Sequence, residues 1–211
     1  MKKLIIINLV LSMLIYILKD YTKTEIVPKV ENEIIEEITQ NEEVAEIIEE
    51  IEEKQEEIIK NTTLELESDL RELSNFTAYD FDEILVDTAL YGLGSAFEEA
   101  EKESNINGLY LVGLACLESQ YGTSNFAVNR NNIMGWNAVD KNPQKATYFD
   151  TKEYCIKYVA SRLKVNYLTE NAKYFAGYTV KDIDTHYCTD PLHAKTIVNI
   201  VKKLTSKNIE G

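Results

Sequence analysis

Leu109-Tyr-Leu-Val-Gly-Leu-Ala-Cys-Leu-Glu-Ser-Gln-Tyr-Gly-Thr-Ser124 decides how the chain is read. Its first nine residues, Leu109 to Leu117, are apolar nearly all round and predict a helix buried on every face. Gly122 is a natural place for the chain to leave that helix, because a residue without Cβ reaches the left-handed conformation at no steric cost. Glu118 then falls in the last turn. Apolar surroundings and the negative end of the helix dipole both disfavour an ionised carboxylate there, so the group is expected to serve as a proton donor near neutral pH. A carboxyl kept protonated is what general-acid cleavage of a glycosidic bond requires. The segment alone is equally compatible with a solvated glutamate near a helix end.

Composition divides the chain. Between Glu25 and Glu57 there are 14 acids against Lys29 and Lys54, a net of −12, whereas Phe76 to Gly211 carries 17 acids and 14 bases, a net of −3. The overall charge of −14 therefore says little about the C-terminal part or its partner. All eight glycines lie at Gly92 or later, so the first part lacks the turn residues of a compact fold.

Three segments follow. Residues 1–20 contain Met1-Lys-Lys3 and an apolar run over residues 4–18, the length of a signal-peptide core. No small-x-small cleavage site succeeds it, so an uncleaved signal anchor is preferred to a cleaved signal peptide, with the membrane as partner through residues 4–18. Residues 21–79 read as an acidic stalk and linker. Val30, Ile34, Val44, Ile48, Ile51 and Ile58 lie on a seam of alternating spacings of four and three, but three of its nine positions are polar and the flanks are almost all Glu. Self-association through this acidic helix stays open beside a solvated single helix or spacer. Residues 80–211 are expected to form one mostly helical domain. Helical patterns cover Ile84 to Glu103, broken at Gly92 and Gly94, then the Glu118 helix after an Asn107-Gly108 turn, Tyr154 to Tyr167, and Leu192 to Leu204 started by Asp190-Pro191. Ile133 to Phe149, rich in Asn, Gly and Pro, is expected to be a small loop or β-hairpin lobe beside a cleft.

Downstream of Glu118 come Asn131-Asn-Ile-Met-Gly-Trp136 and, late in the chain, Tyr187-Cys-Thr-Asp-Pro191. With Glu118-Ser-Gln-Tyr-Gly-Thr-Ser124 these three motifs, in this order, resemble the glucosaminidase family of bacterial and phage peptidoglycan hydrolases over roughly residues 88 to 204. The resemblance implies a lysozyme-like helical fold, action outside the cell on peptidoglycan glycan strands, whether anchored or secreted and whether bacterial or phage-encoded, and hydrolysis of the β-1,4 bond after N-acetylglucosamine. It also implies Glu118 as the catalytic acid.

Glycosidases normally use two carboxyls. Between Glu118 and Glu153 the only acids are Asp140 and Asp150, and Asp140 is the nearer candidate, although Asp before Lys-Asn-Pro also makes an ordinary turn. The alternative needs no second acid: the substrate's own 2-acetamido group attacks the anomeric carbon, and the family resemblance gives Tyr187 the supporting role. Ser119, Asn131, Asn132, Trp136 and Asn137 are candidate substrate contacts by type, though Asn is as common in turns and Trp as common in cores.

Cys116, Cys155 and Cys188 are odd in number and show no C-x-x-C spacing, and His186 and His193 have no carboxylate at ligand spacing, so neither metal nor cofactor is expected. The family resemblance puts Cys188 in a small-residue slot between Tyr187 and Thr189, which implies a buried thiol. No phosphate loop or basic stripe points to a nucleotide or nucleic acid. A lytic transglycosylase, a lysozyme-type muramidase and an inactive membrane-tethered glycan-binding scaffold are the rival readings.

Overall fold

The computed structural model describes residues 63–137 and 146–206. The apolar run 4–18, the acidic seam and Asp140 lie outside the described residues. Among the described residues no helix is long and apolar enough to cross a membrane, and no β-strand forms beyond one isolated antiparallel bridge, Asp69 with Thr179.

Among the described residues seven helices carry the fold: α1 Ala78–Leu85, α2 Gly94–Ser104, α3 Gly108–Ser119, α4 Asn125–Arg130, α5 Lys152–Tyr167, α6 Val180–Tyr187 and α7 His193–Ser206. The expected centre is α3, in which every residue from Gly108 to Cys116 is buried. Asn107 is its N-cap and not the turn predicted with Gly108: the amide oxygen accepts from the N–H groups of Leu109 and Tyr110. Helix α7 lies close against α3, since a Cβ on Gly113 would come within 2.8 Å of both Ile197 and Val201. Helix α2 bridges α1, α3 and α5. The break predicted around Gly92 and Gly94 separates α1 from α2, with Asp82 Oδ1 accepting from both glycine N–H groups at 2.9 and 2.8 Å.

The compact unit reaches further upstream than the expected start near residue 80. Leu64 and Leu70 are fully buried in the core. The segment around them runs as a strap between α3 and α6. Leu70 N–H donates to Tyr178 O, Val180 N–H to Ser68 O and Lys181 N–H to Leu66 O, while Asn107 N–H donates to Leu70 O at 2.7 Å. Glu101, buried on α2, accepts from Ser74 N–H at 2.6 Å and from Gly108 N–H at 2.7 Å, fastening the strap to the start of α3. The acidic reading of this region missed two apolar residues spaced too widely to show a period.

Candidate active site

Helix α3 delivers Glu118 to the surface in its last turn, with the side chain 28% exposed. The left-handed exit comes two residues earlier than glycine preference suggests: Gln120 and Tyr121 already have φ of 52° and 57°, and Gly122 follows at 87°. Ser119 makes this affordable. Its hydroxyl donates to Ala115 O and accepts from Gly122 N–H at 2.7 Å, while Ser124 N–H donates to Ser119 O. Ser119, expected as a substrate contact, is wholly buried and both its hydroxyl bonds go to backbone inside the turn.

The polar lobe passes over one side of the carboxyl. Gly135 has φ of 63°, and a Cβ there would overlap Glu118 Oε2 and lie 3.1 Å from its Cδ. Only glycine permits that approach. Asn132, buried, holds the bend around it: Oδ1 accepts from Trp136 N–H at 2.9 Å, and Nδ2 donates to Trp136 O and Thr147 O. Asn131 Nδ2 donates to Phe149 O and Asp150 O, joining the returning arm. These two amides, expected as substrate contacts, are spent on backbone. Asn137 is exposed and donates to Thr147 Oγ1 at 3.0 Å. The arms are tied by Thr147 N–H to Trp136 O without forming a hairpin strand, so the lobe is a loop in its described part. Trp136 packs edge-on to Tyr158 at 5.8 Å and is half-buried, part of an aromatic group with Phe149 and Tyr154.

The other side of Glu118 is built by α6 and α7, and here the reading of the histidines is corrected. His193 is buried at the first turn of α7, with Nε2 3.3 Å from Glu118 Oε1 and Nδ1 2.5 Å from Asp184 Oδ1. Asp184 Oδ2 also accepts from Ala194 N–H at 3.0 Å, so one carboxylate fixes both the helix start and the imidazole. Burial pulls the His193 pKa down, yet hydrogen bonds and charge from Glu118 and Asp184 outweigh it and leave it above the usual histidine value. No local spacing signals this contact, because the partners stand 75 and 9 residues away in sequence. Tyr187, from the late motif, does reach the site: its ring lies 5.5 Å from His193 and 5.8 Å from Tyr167. Burial, reinforced by the charge of Glu118, raises its pKa well above that of free tyrosine, so the phenol remains an O–H donor at neutral pH. Cys188 beside it is half-buried, with Sγ 3.5 Å from Asp190 N–H, whereas Cys116 and Cys155 are buried with thiols pushed up to about 12 and about 11 by desolvation.

A half-buried carboxyl is thus held between a glycine turn and a carboxylate-anchored imidazole, beside a neutral phenol. Comparison with known proteins agrees in fold and in sequence. Two Streptococcus pneumoniae proteins, from serotype 4 and from a second strain, each described as a putative endo-beta-N-acetylglucosaminidase, are 30% identical to this chain over 145 residues. The match takes in 66% of this chain and 22% and 20% of theirs, so the chain spans about a fifth of the length of these curated relatives. Crystal structures of S. aureus Autolysin E, one of a catalytic mutant with the disaccharide NAG-NAM and one with a muropeptide, superpose with a TM-score of 0.55 at 18% and 19% identity. Those matches cover 72% of this chain and 78% of Autolysin E and establish a shared fold. The family model described as mannosyl-glycoprotein endo-beta-N-acetylglucosaminidase matches residues 94–206, more than half of the sequence and all three motifs, and the chain belongs to this glucosaminidase family of glycoside hydrolases.

Proposed function

We propose that the chain is a peptidoglycan hydrolase that cleaves the β-1,4 bond after N-acetylglucosamine, with Glu118 as general acid. The observation that carries this reading is the placement of Glu118: its Oε2 edge lies under Gly135 and its Oε1 edge faces His193, leaving the carboxyl 28% exposed at the foot of the lobe. Such a group is fixed in direction yet open to a glycosidic oxygen.

In this reading the 2-acetamido oxygen attacks the anomeric carbon as the glycosidic bond breaks, and the Glu118 proton passes to the leaving oxygen. Water then opens the oxazolinium, returning a proton to Glu118. Tyr187, held as a neutral phenol, supports this by donating toward the acetamido group or the developing charge. Asp140 as a second carboxylate is the competing route. Residues 4–18 would tether the enzyme so that it faces the wall, which membrane fractionation of the full chain tests directly.

Digestion of purified peptidoglycan and analysis of the new reducing ends tests the bond assignment. N-acetylglucosamine ends are expected. N-acetylmuramic acid ends would make the protein a muramidase, 1,6-anhydro ends a transglycosylase, and binding without product a scaffold. Glu118→Gln, which keeps shape and loses the proton, should lower kcat by more than about 10³-fold, a barrier rise of ~4 kcal/mol. A loss within about tenfold, ~1.4 kcal/mol, would remove Glu118 from the role.

A further inference from the structure

Three groups of opposite preference share one enclosed corner. Glu118 and Asp184 are both carboxyls, and between them lies an imidazole whose two nitrogens face one oxygen each. The Nδ1 side is settled: Asp184 is half-buried, its other oxygen is taken by Ala194 N–H, and the 2.5 Å contact fixes a proton on Nδ1. Nε2 is then the only nitrogen that can exchange, and it faces Glu118. One proton in that contact can sit on the carboxyl, which donates to neutral Nε2, or on the imidazole, which donates to the carboxylate.

We propose that His193, locked by Asp184, is a positioning and proton-holding residue for Glu118: the Glu118–His193 contact stores the proton that the carboxyl delivers to the leaving group and keeps it available at neutral pH. The inference rests on the general-acid reading of Glu118. The stored proton passes between Glu118 Oε1 and His193 Nε2 until the carboxyl gives it to the leaving oxygen as the glycosidic bond breaks, and the proton released by the attacking water then restores the pair, so no other reagent enters.

The surroundings fit this use. The titratable groups facing His193 are Glu118 from α3 and Asp184 and Tyr187 from α6, with Tyr167 from α5 behind Tyr187 and Tyr110 of α3 close enough to Glu118 and Asp184 to feel their charge. Burial lifts both Tyr110 and Tyr187 well above neutrality, so neither phenol competes for the proton. Lys195, on the same helix as His193, is exposed. The start of a helix is an unfavourable place for a cation, which makes the two carboxylates the reason an imidazolium is tolerated there at all. A purely structural histidine would need only the Asp184 contact and the helix start.

The test is the pH dependence of kcat on a soluble peptidoglycan fragment for the parent, His193→Gln and Glu118→Gln. Glutamine keeps an amide near the Nε2 position and cannot store a proton. The alkaline limb should retreat toward acid in His193→Gln, so that the ratio of kcat at acid to neutral pH rises about tenfold or more, with KM changed less than about threefold. A uniform loss with an unmoved alkaline limb would overturn the proposal. A second measurement needs no substitution of the histidine: the ¹⁵N resonances of His193 should titrate above the free-histidine range in the parent and at lower pH in Glu118→Gln, and identical titrations in both would overturn it even if His193→Gln fails to fold. If Glu118→Gln itself retains activity, the general-acid reading falls. If Glu118→Gln is dead while the parent and His193→Gln share one pH profile, only the proton-holding role falls.

Discussion

The two sides of Glu118 are built by opposite means. On the lobe side the carboxyl meets backbone at Gly135, a glycine in a left-handed conformation held by a neighbouring amide, Asn132. On the helix side it meets His193, a charged or chargeable ring held by Asp184. The first side fixes position by sterics and does not respond to pH. The second fixes position by hydrogen bonds whose strength depends on protonation. The general-acid role proposed for Glu118 asks for both, one side to aim the carboxyl and the other to load it with a proton.

The largest effect should come from removing what supports the helix side. A chain beginning at Thr77 lacks Leu64 and Leu70 and every hydrogen bond from the strap to the start of α6. Loss of a single buried leucine side chain costs ~2–5 kcal/mol, and a domain has only ~5–15 in hand. The truncated chain is therefore expected to show no cooperative thermal transition by circular dichroism, while a chain beginning near residue 57 melts cooperatively and digests isolated walls. Equal melting of the two would show that the strap contributes nothing.

On the lobe side, Gly135→Ala should reduce kcat by ~10²-fold while the chain still melts cooperatively, a few degrees lower than the parent. The added Cβ displaces Glu118 and strains φ, and misplacement of a reacting group by ~1 Å costs about that much. Activity within about twofold of the parent would mean that the lobe yields freely and does not aim the acid.

Tyr187 and Asp140 sharpen the contrast from outside the pair. Tyr187→Phe should cost roughly tenfold to 10²-fold in kcat and Asp140→Asn less than about threefold, because a positioned acid or base is worth ~10²–10⁴ and the acetamido route needs none from Asp140. The reverse order, measured on one wall preparation with folding confirmed, would transfer the second role to Asp140.

The smallest effect is on stability. The folded pKa of His193 lies above its unfolded value near 6.5, so its contacts stabilise the fold fully below that pH and lose this contribution as pH rises through the folded pKa. The parent should therefore exceed His193→Gln in melting temperature by more at pH 6 than at pH 9. A constant gap would mean that the imidazole does not change charge on folding.

The three motifs were legible because each is local. Glu118 precedes its turn by a fixed count, the Asn131-Asn132 to Gly135 bend is closed by bonds four residues apart, and Asp190-Pro191 precedes the last helix. Even there the residue types indicated polar contacts while the packing determined with what: Ser119, Asn131 and Asn132 bind backbone. Cys188, read as buried, is half-exposed.

By itself the sequence determined the helical class, through apolar periodicity, and the place of Glu118 at the end of the buried helix, through a short run whose geometry depends only on neighbours along the chain. Only the tertiary structure decided what Glu118 touches. His193 reaches it because α3 and α7 pack side by side at Gly113, and Asp184 reaches His193 because the strap from Leu64 to Leu70 holds the start of α6. These contacts join residues 9 to 75 positions apart, and their formation rests on burial of surfaces that no local pattern encodes.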